Sequence, residues 1–154
     1  MGLLAVEGAG MMIEAKASIR ILSLTESPER VSEILNLSPS LVAHKGDLIS
    51  LHVPNSPQRS HSLWILESSL PQTVSLEEHI AHLCGVLVAA RADVEQIRSQ
   101  CDVFELFCMM SPTGDQGSVK LSAASLALLA QLRVDVVLDV YAAGTSEGSK
   151  MEAD

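Results

Sequence analysis

MMIEAKASIRILSL, residues 11–24, alternates in polarity along its whole length. Met11, Ile13, Ala15, Ala17, Ile19 and Ile21 fall on one side, and Glu14, Lys16, Ser18 and Arg20 on the other. A period of two marks a pleated strand with one buried face and one wet face. A chain that opens on such a strand predicts a sheet covered on one side only. Next, Ser27 is placed to cap a helix and Pro28 to occupy its first turn, where a missing N–H is no loss. Val31, Ile34 and Leu35 follow at helical spacing, and Asn36 marks the stop.

Further on, His44-Lys45-Gly46-Asp47 reads as a turn and Leu48–Val53 as a short apolar strand. Pro54-Asn55-Ser56-Pro57 is a loop, and Ser60–Ser68 is the returning strand of a hairpin. In that strand Ser62, Trp64 and Leu66 share one face, while His61, Leu63, Ile65 and Glu67 share the other. Ser75 to Gln100 carries the strongest helix signal. Ser75 and Glu78 form a capping box, and Leu76, Ile80, Leu83, Leu87, Val94 and Ile97 trace one stripe. Glu78, His82, Arg91, Glu95 and Arg98 hold the wet side, and Gly85 weakens the middle by roughly 1 kcal/mol relative to Ala. Asp102–Met110 is apolar at nearly every position, which predicts a central strand buried on both faces. After a turn-rich stretch from Ser111 to Gly117, Ser122 caps a helix through Leu132 with Leu126 and Leu129 inward. Val134–Tyr141 closes the domain as a strand.

The expected fold is therefore α+β. It has a mixed, mainly antiparallel sheet of about five strands with about three helices on one face, a ferredoxin-like βαββαβ core plus an extra helix and strand. Residues 1–10, with Gly8-Ala9-Gly10, read as a flexible leader, so that Met11 or Met12 is an alternative start. Residues 11–141 read as a single domain, and residues 142–154 as a disordered tail.

Composition bounds the function. The chain has 154 residues, and 10 Lys plus Arg against 19 Asp plus Glu give a formal charge of −9. Aromatics make up 3 %, namely Trp64, Phe104, Phe107 and Tyr141. Nucleic-acid binding draws on basic charge and stacking side chains, and anionic membranes draw on basic charge, so neither partner is expected. The uncharged runs fall short of the ~20 residues that span a bilayer. The 3 cysteines, Cys84, Cys101 and Cys108, are odd in number and form no Cys-x-x-Cys pair. Together with an N-terminus that lacks a basic start, they point to a reducing, cytoplasmic setting.

Little in the residues assembles into chemistry. His79 and His82 share a helix side and can grip one ion, but Cys84 points elsewhere and no further ligand motif completes a set; histidines on a wet helix face account for the spacing. Cys108 falls in a strand interior and Cys101 at a helix–strand junction. Gly8-Ala9-Gly10 precedes a strand instead of following one, and Gly114-Asp115-Gln116-Gly117 lacks the Lys-Ser/Thr of a phosphate loop. Asp135 and Asp139 project from one strand face ~13 Å apart, too far for a carboxylate pair. Glu77 and Glu78 suit a helix N-terminus. No catalytic residue, metal site or cofactor is expected. The exception is His44, Lys45, Arg59, His61 and Trp64, which gather positive or titratable groups and the sole indole in an acidic chain. If the hairpin folds back, Lys45 and Arg59 can hold an anion. The alternative is a solvated hairpin end with Trp64 packed beneath the long helix.

The ordered segments Ala17-Ser18-Ile19-Arg20-Ile21, Leu35-Asn36-Leu37, His44-Lys45-Gly46-Asp47, Ser62-Leu63-Trp64-Ile65-Leu66-Glu67-Ser68, Ser75-Leu76-Glu77-Glu78-His79-Ile80 and Val119-Lys120-Leu121-Ser122 occur together. In that order they resemble the bacterial family described as domain of unknown function 4279, over roughly Met12 to Tyr141. The resemblance implies a small bacterial α+β domain without an established activity, and it assigns no catalytic residues. With the acidic charge, it leads to an expectation of a non-enzymatic protein-binding domain, immunity-like or an adaptor, that covers a basic partner. Two other functions stand beside it. One is a small anionic-ligand-binding or catalytic domain built on the His44/Lys45/Arg59/His61/Trp64 region. The other is a homo-oligomer that self-pairs through a sheet face or edge strand.

Overall fold

A computed structural model describes residues 13–114 and 116–141. Along the chain the elements are β1 (Ile13–Ser23), α1 (Pro28–Leu35), β2 (Leu41–Ala43), β3 (Ser62–Glu67), α2 (Leu76–Ala89), α3 (Val94–Gln100), β4 (Val103–Pro112), α4 (Ala123–Leu132) and β5 (Asp135–Val140). The strands form one sheet in the order β2-β3-β1-β4-β5. Every neighbouring pair is antiparallel except β4–β5, which is parallel and joined across α4. The first four strands, β2-β3-β1-β4, hold the antiparallel order of a ferredoxin-like unit, and α4–β5 extends it at the β4 side. The fold is α+β, as the periodicities predict. The leader and the tail lie outside the described residues.

Local chemistry sets the helix ends. The Ser27 side chain accepts from the Arg30 N–H, Pro28 opens α1, and Asn36 ends it in a left-handed conformation at φ 56°. The Ser75–Glu78 capping box is complete. Ser122 caps α4 by accepting from Ser125 N–H. Between sheet and helices lies one apolar core. Ala15, Ala17, Ile19 and Ile21 of β1, Trp64 of β3, and Phe104, Leu106, Cys108 and Met110 of β4 meet residues from all four helices there, Leu35, Ile80, Ile97 and Leu129 among them. The other face of the sheet carries Lys16, Ser18 and Arg20.

Several expectations are corrected. Leu48–Val53 is not a strand, and the second strand is Leu41–Ala43. Residues 44–61 instead form an arm closed by Gly46 N–H to the Arg59 carbonyl at 2.9 Å, Arg59 N–H to the Asp47 carbonyl at 2.7 Å and Ile49 N–H to the Pro57 carbonyl at 2.9 Å. Pro54 and Pro57 have no N–H to extend a ladder, and Ser50 N–H is taken by the Ser56 hydroxyl at 2.9 Å. The apolar side chains of this stretch stay largely exposed, Leu51 to 84 %.

The long helix is two, which makes four helices among the described residues. Arg91 turns left-handed at φ 53°. Ala92 N–H reaches the Leu87 carbonyl and Arg91 N–H the Val88 carbonyl, which is the Schellman pattern of a helix end. Asp93 then caps α3 by accepting from Gln96 N–H. One stripe still faces the core across the break. β4 is buried on one face only; Val103, Glu105, Phe107 and Met109 are half-buried on the helix-free face. Trp64 packs under α1 rather than under α2, with Nε1 donating to the Ser32 hydroxyl at 2.9 Å. Leu126 points outward.

Two substitutions separate core from surface. Ile97→Ala empties a fully buried site and is expected to cost about 2–5 kcal/mol in urea unfolding. Leu126→Ala, at a side chain 52 % exposed, is expected to stay within about 0.5 kcal/mol. Equal losses for the two would contradict this packing.

Candidate functional site

β1 has 11 residues, but its partner β3 has 6. Pairing between them covers Ser18–Ser23 and leaves the first half of β1 without a strand on that side. The segment after β3 supplies two anchors there. Ser68 N–H donates to the Ala17 carbonyl at 2.9 Å, and Ala15 N–H donates to the Gln72 carbonyl at 3.0 Å. Between the anchors β1 has one residue, Lys16, while the facing chain has three, Ser69, Leu70 and Pro71. The longer side bows out and opens a cavity of about 470 Å³. Lys16, Ser18, Glu67, Phe107 and Met109 line it from the helix-free face of the sheet, and His79 of α2 lines it from the other.

His79 sits on the buried side of α2, 1 % exposed, contrary to a place on the wet face. Ala15 and Ala17 leave room for its ring. Nδ1 lies 2.8 Å from the Ser68 hydroxyl. Nε2 is enclosed and has no hydrogen bond of good geometry to a described residue, although the Pro71 and Ala15 carbonyls lie near the ring. Burial lowers the pKa of the ring, outweighing the Pro71 and Ala15 carbonyls that favour its charged form. His79 is therefore neutral at pH 7. His82, half-buried, places Nε2 3.1 Å from the Ser69 hydroxyl. Among the described residues no group of three His, Cys, Asp or Glu is arranged to hold a metal ion. Burial raises the pKa of Cys84 and Cys101 and pushes Cys108 up to about 11, so these thiols stay protonated at neutral pH.

The five residues singled out by charge lie elsewhere. His44 follows β2, with Nε2 2.8 Å from a Glu29 carboxylate oxygen and its N–H donating to Asp47 at 2.7 Å. Glu29 is held below the usual carboxylate range, first by its own backbone N–H and then by His44. Lys45 and Arg59 flank the Gly46–Arg59 backbone bond of the arm, and His61 Nδ1 lies 2.8 Å from the Ser60 hydroxyl. Trp64 is buried to 1 % and belongs to the core. The backbone bonds of the arm join Arg59 to Gly46 and Asp47, next to Lys45, while Trp64 lies in the core. The cavity set of Lys16, Glu67, Gln72 and His79 has no local sequence signal, because its members meet only across the sheet. A Gly-x-Ser-x-Gly pattern, Gly144-Thr145-Ser146-Glu147-Gly148, lies outside the described residues. No helix among them is long and apolar enough to cross a membrane.

At the far side of the sheet β5 is an edge strand. In its parallel register with β4, Asp135, Val137 and Asp139 face away from the helices, and Val136, Leu138 and Val140 face the helix layer. α4 does not cover that row: Leu138 is 53 % and Val140 60 % exposed. α4 itself is anchored by Glu77 in the first turn of α2. One carboxylate oxygen accepts from Ser122 N–H at 2.6 Å and from the Ser125 hydroxyl at 2.7 Å. The Ser122 and Ser125 bonds lower the Glu77 pKa to about 2.

A folded pKa below the unfolded value means that the protonated form is disfavoured by folding. The Glu77 anchor is thus present above about pH 4.5 and fades as pH falls toward about 2. Glu77→Gln is expected to speed amide exchange across residues 122–132 at pH 7 and to flatten the acid dependence of stability in that window. Unchanged exchange in α4 would contradict the anchor.

No curated protein and no solved structure matches this chain at a significant level. A family model does match, over residues 13–143, which takes in every strand and helix above. The chain belongs to the family described as Domain of unknown function (DUF4279).

Proposed function

We propose that this domain is a non-enzymatic protein-binding module, of the immunity or adaptor kind, that accepts a basic extended segment along β5. The observation that carries this reading is the two-sided chemistry of a sheet edge that no strand among the described residues pairs. An edge strand offers free backbone donors and acceptors to an added strand. On the helix side, exposed Val136, Leu138 and Val140 offer apolar contact. On the other side Asp135 and Asp139 offer negative charge. A segment that alternates apolar and basic residues satisfies both at once. The −9 charge of the chain steers such a partner and raises its on-rate. A second copy of the chain fits less well. Antiparallel self-pairing centred on Val137 sets Asp135 of one copy opposite Asp139 of the other, and like charges directly opposite destabilise a ladder.

The test is a titration of the isotopically labelled chain with a short peptide alternating Val and Lys. Amide shifts confined to β5 and α4, weakened by salt and by about tenfold in Asp135→Lys/Asp139→Lys, are expected. Shifts elsewhere, or no shift at millimolar peptide, would overturn the reading. Concentration-dependent dimers that survive that double substitution would replace the partner with a second copy.

A second reading has one observation behind it. Lys45 and Arg59 lie on one arm, and neither is in an ion pair among the described residues. Such a pair can hold a small anion. Inorganic phosphate is then expected to raise the melting temperature of the wild type but not of Lys45→Ala/Arg59→Ala. An equal response in both removes the arm as an anion site.

A further inference from the structure

We propose that the cavity between β1 and the Ser68–Gln72 segment binds a free α-amino acid with an apolar side chain. Three features of the cavity define that ligand. Its volume, about 470 Å³, lies in the range of small-molecule sites and suits a ligand of this size. Its rim carries one cation and one anion, Lys16 and Glu67, which form no ion pair with each other or with any described residue. Its wall is apolar on one side, where Phe107 and Met109 of β4 follow one another on the helix-free face.

The spacing of the two charges is set by the sheet. Ser18 is directly opposite Glu67, so Lys16 is a diagonal neighbour of Glu67 on the same face. Diagonal positions are ~7–8 Å apart. That gap admits the α-carboxylate of one molecule against Lys16 and its α-ammonium against Glu67. A simple carboxylate would meet repulsion from Glu67, and a simple amine would meet repulsion from Lys16. A zwitterion neutralises both, and its side chain then lies over Phe107 and Met109. The opposite demand on Phe107 is already met, since the Arg20 guanidinium sits 4.2 Å from its ring centroid and pairs with Glu105. Arg20 is thereby withdrawn from competition for the carboxylate.

The floor is polar but uncharged. His79 is buried to 1 %, is held at Nδ1 by Ser68 and carries an Nε2 with no hydrogen bond of good geometry to a described residue. An unsatisfied buried ring nitrogen is costly, and a structure retains few of them. A neutral imidazole and the Ser68 hydroxyl give the cavity hydrogen-bonding capacity without adding a charge that would disturb the balance at the rim. This site shares no residue with β5, so the two proposals stand or fall separately.

The test uses the full chain and three ligands, L-phenylalanine, 3-phenylpropionate and phenethylamine, followed by calorimetry and by amide shifts. L-Phenylalanine is expected to move the amides of Lys16, Glu67, Ser68 and Phe107. The acid and the amine are expected to bind at least about tenfold more weakly, each having lost one charge-assisted contact. Lys16→Ala should abolish the preference for the amino acid over the amine, and Glu67→Gln should abolish its preference over the acid. Both side chains are exposed, so neither variant threatens the core. No cavity shift with L-phenylalanine, L-leucine or L-methionine at millimolar concentration overturns the proposal. So does 3-phenylpropionate binding as tightly as L-phenylalanine, or variants that keep the wild-type preferences.

Discussion

β1 is longer than the strand that pairs with it, and much of the molecule's surface chemistry follows from that mismatch. A strand's backbone groups need partners along both edges. On the β4 side Ile13–Leu22 is matched residue for residue. On the β3 side the ladder stops at Ser18, and the chain after β3 must serve the remaining groups while also turning toward α2. It does so at two points, Ala17 and Ala15, and bows out between them. The cavity is the space left by that compromise. Pro71 favours the bow, because it has no N–H to give to a ladder. The alanines on the core face of β1 complete the arrangement. Ala15 and Ala17 are buried beneath the helix layer, and His79 ties α2 to the segment through Ser68.

A second junction holds the added α4–β5 unit to the ferredoxin-like core. α2 begins with a capping box that uses Glu78, which leaves its neighbour Glu77 free to reach sideways. Glu77 occupies the first turn, where the helix dipole already favours a negative charge, and it spends its oxygen lone pairs on the N-terminus of a second helix. Two helix N-termini thus share one carboxylate region. With α4 fixed at its start and β5 paired to β4, the outer row Val136, Leu138 and Val140 projects beyond the reach of α4. Its side chains alternate with Asp135 and Asp139, so the same register that builds the sheet also builds its apolar and acidic borders.

What the residues make legible tracks how local the deciding interaction is. β1, the Ser27–Pro28 start, the Asn36 stop and the Ser75–Glu78 box depend on neighbours within a few positions, and they read directly. The break at Arg91 was also local. Asp93 with Gln96 three residues on is a cap signal, but the Leu87, Val94 and Ile97 stripe runs through it, because a Schellman turn can return the chain with the same face inward. Leu48–Val53 is the harder case. Its apolar content looks like a strand, yet a strand needs a neighbour, and Pro54 and Pro57 deny it one. Phe107 and Met109 look buried for the same reason; apolar character alone does not show whether a helix lies above. The candidate site shows the limit most clearly. Charge clustering along the chain draws attention to His44, Lys45, Arg59 and His61. Lys16, Glu67 and His79 are separated by more than fifty positions at the extremes and meet only because two strands differ in length.

The helix-free face also explains how one acidic chain can present two different surfaces. Along β1 and β4, Arg20 pairs with Glu105 and lies over the ring of Phe107, so the middle of the sheet is electrostatically quiet. Toward the end of the face where β3 stops, Lys16 and Glu67 oppose one another across the cavity without touching, a neutral pair with a strong local field. Toward β5 the balance is lost, and Asp135 and Asp139 face water with no cation within ion-pairing reach among the described residues. Charges closer than a Debye length of about 8 Å act on a ligand individually, while those farther apart act mainly as a screened sum. On the proposal above, the cavity's own two charges outweigh the −9 of the chain. The β5 edge feels that sum as well as its own aspartates, and the proposed docking of a basic segment there rests on both fields.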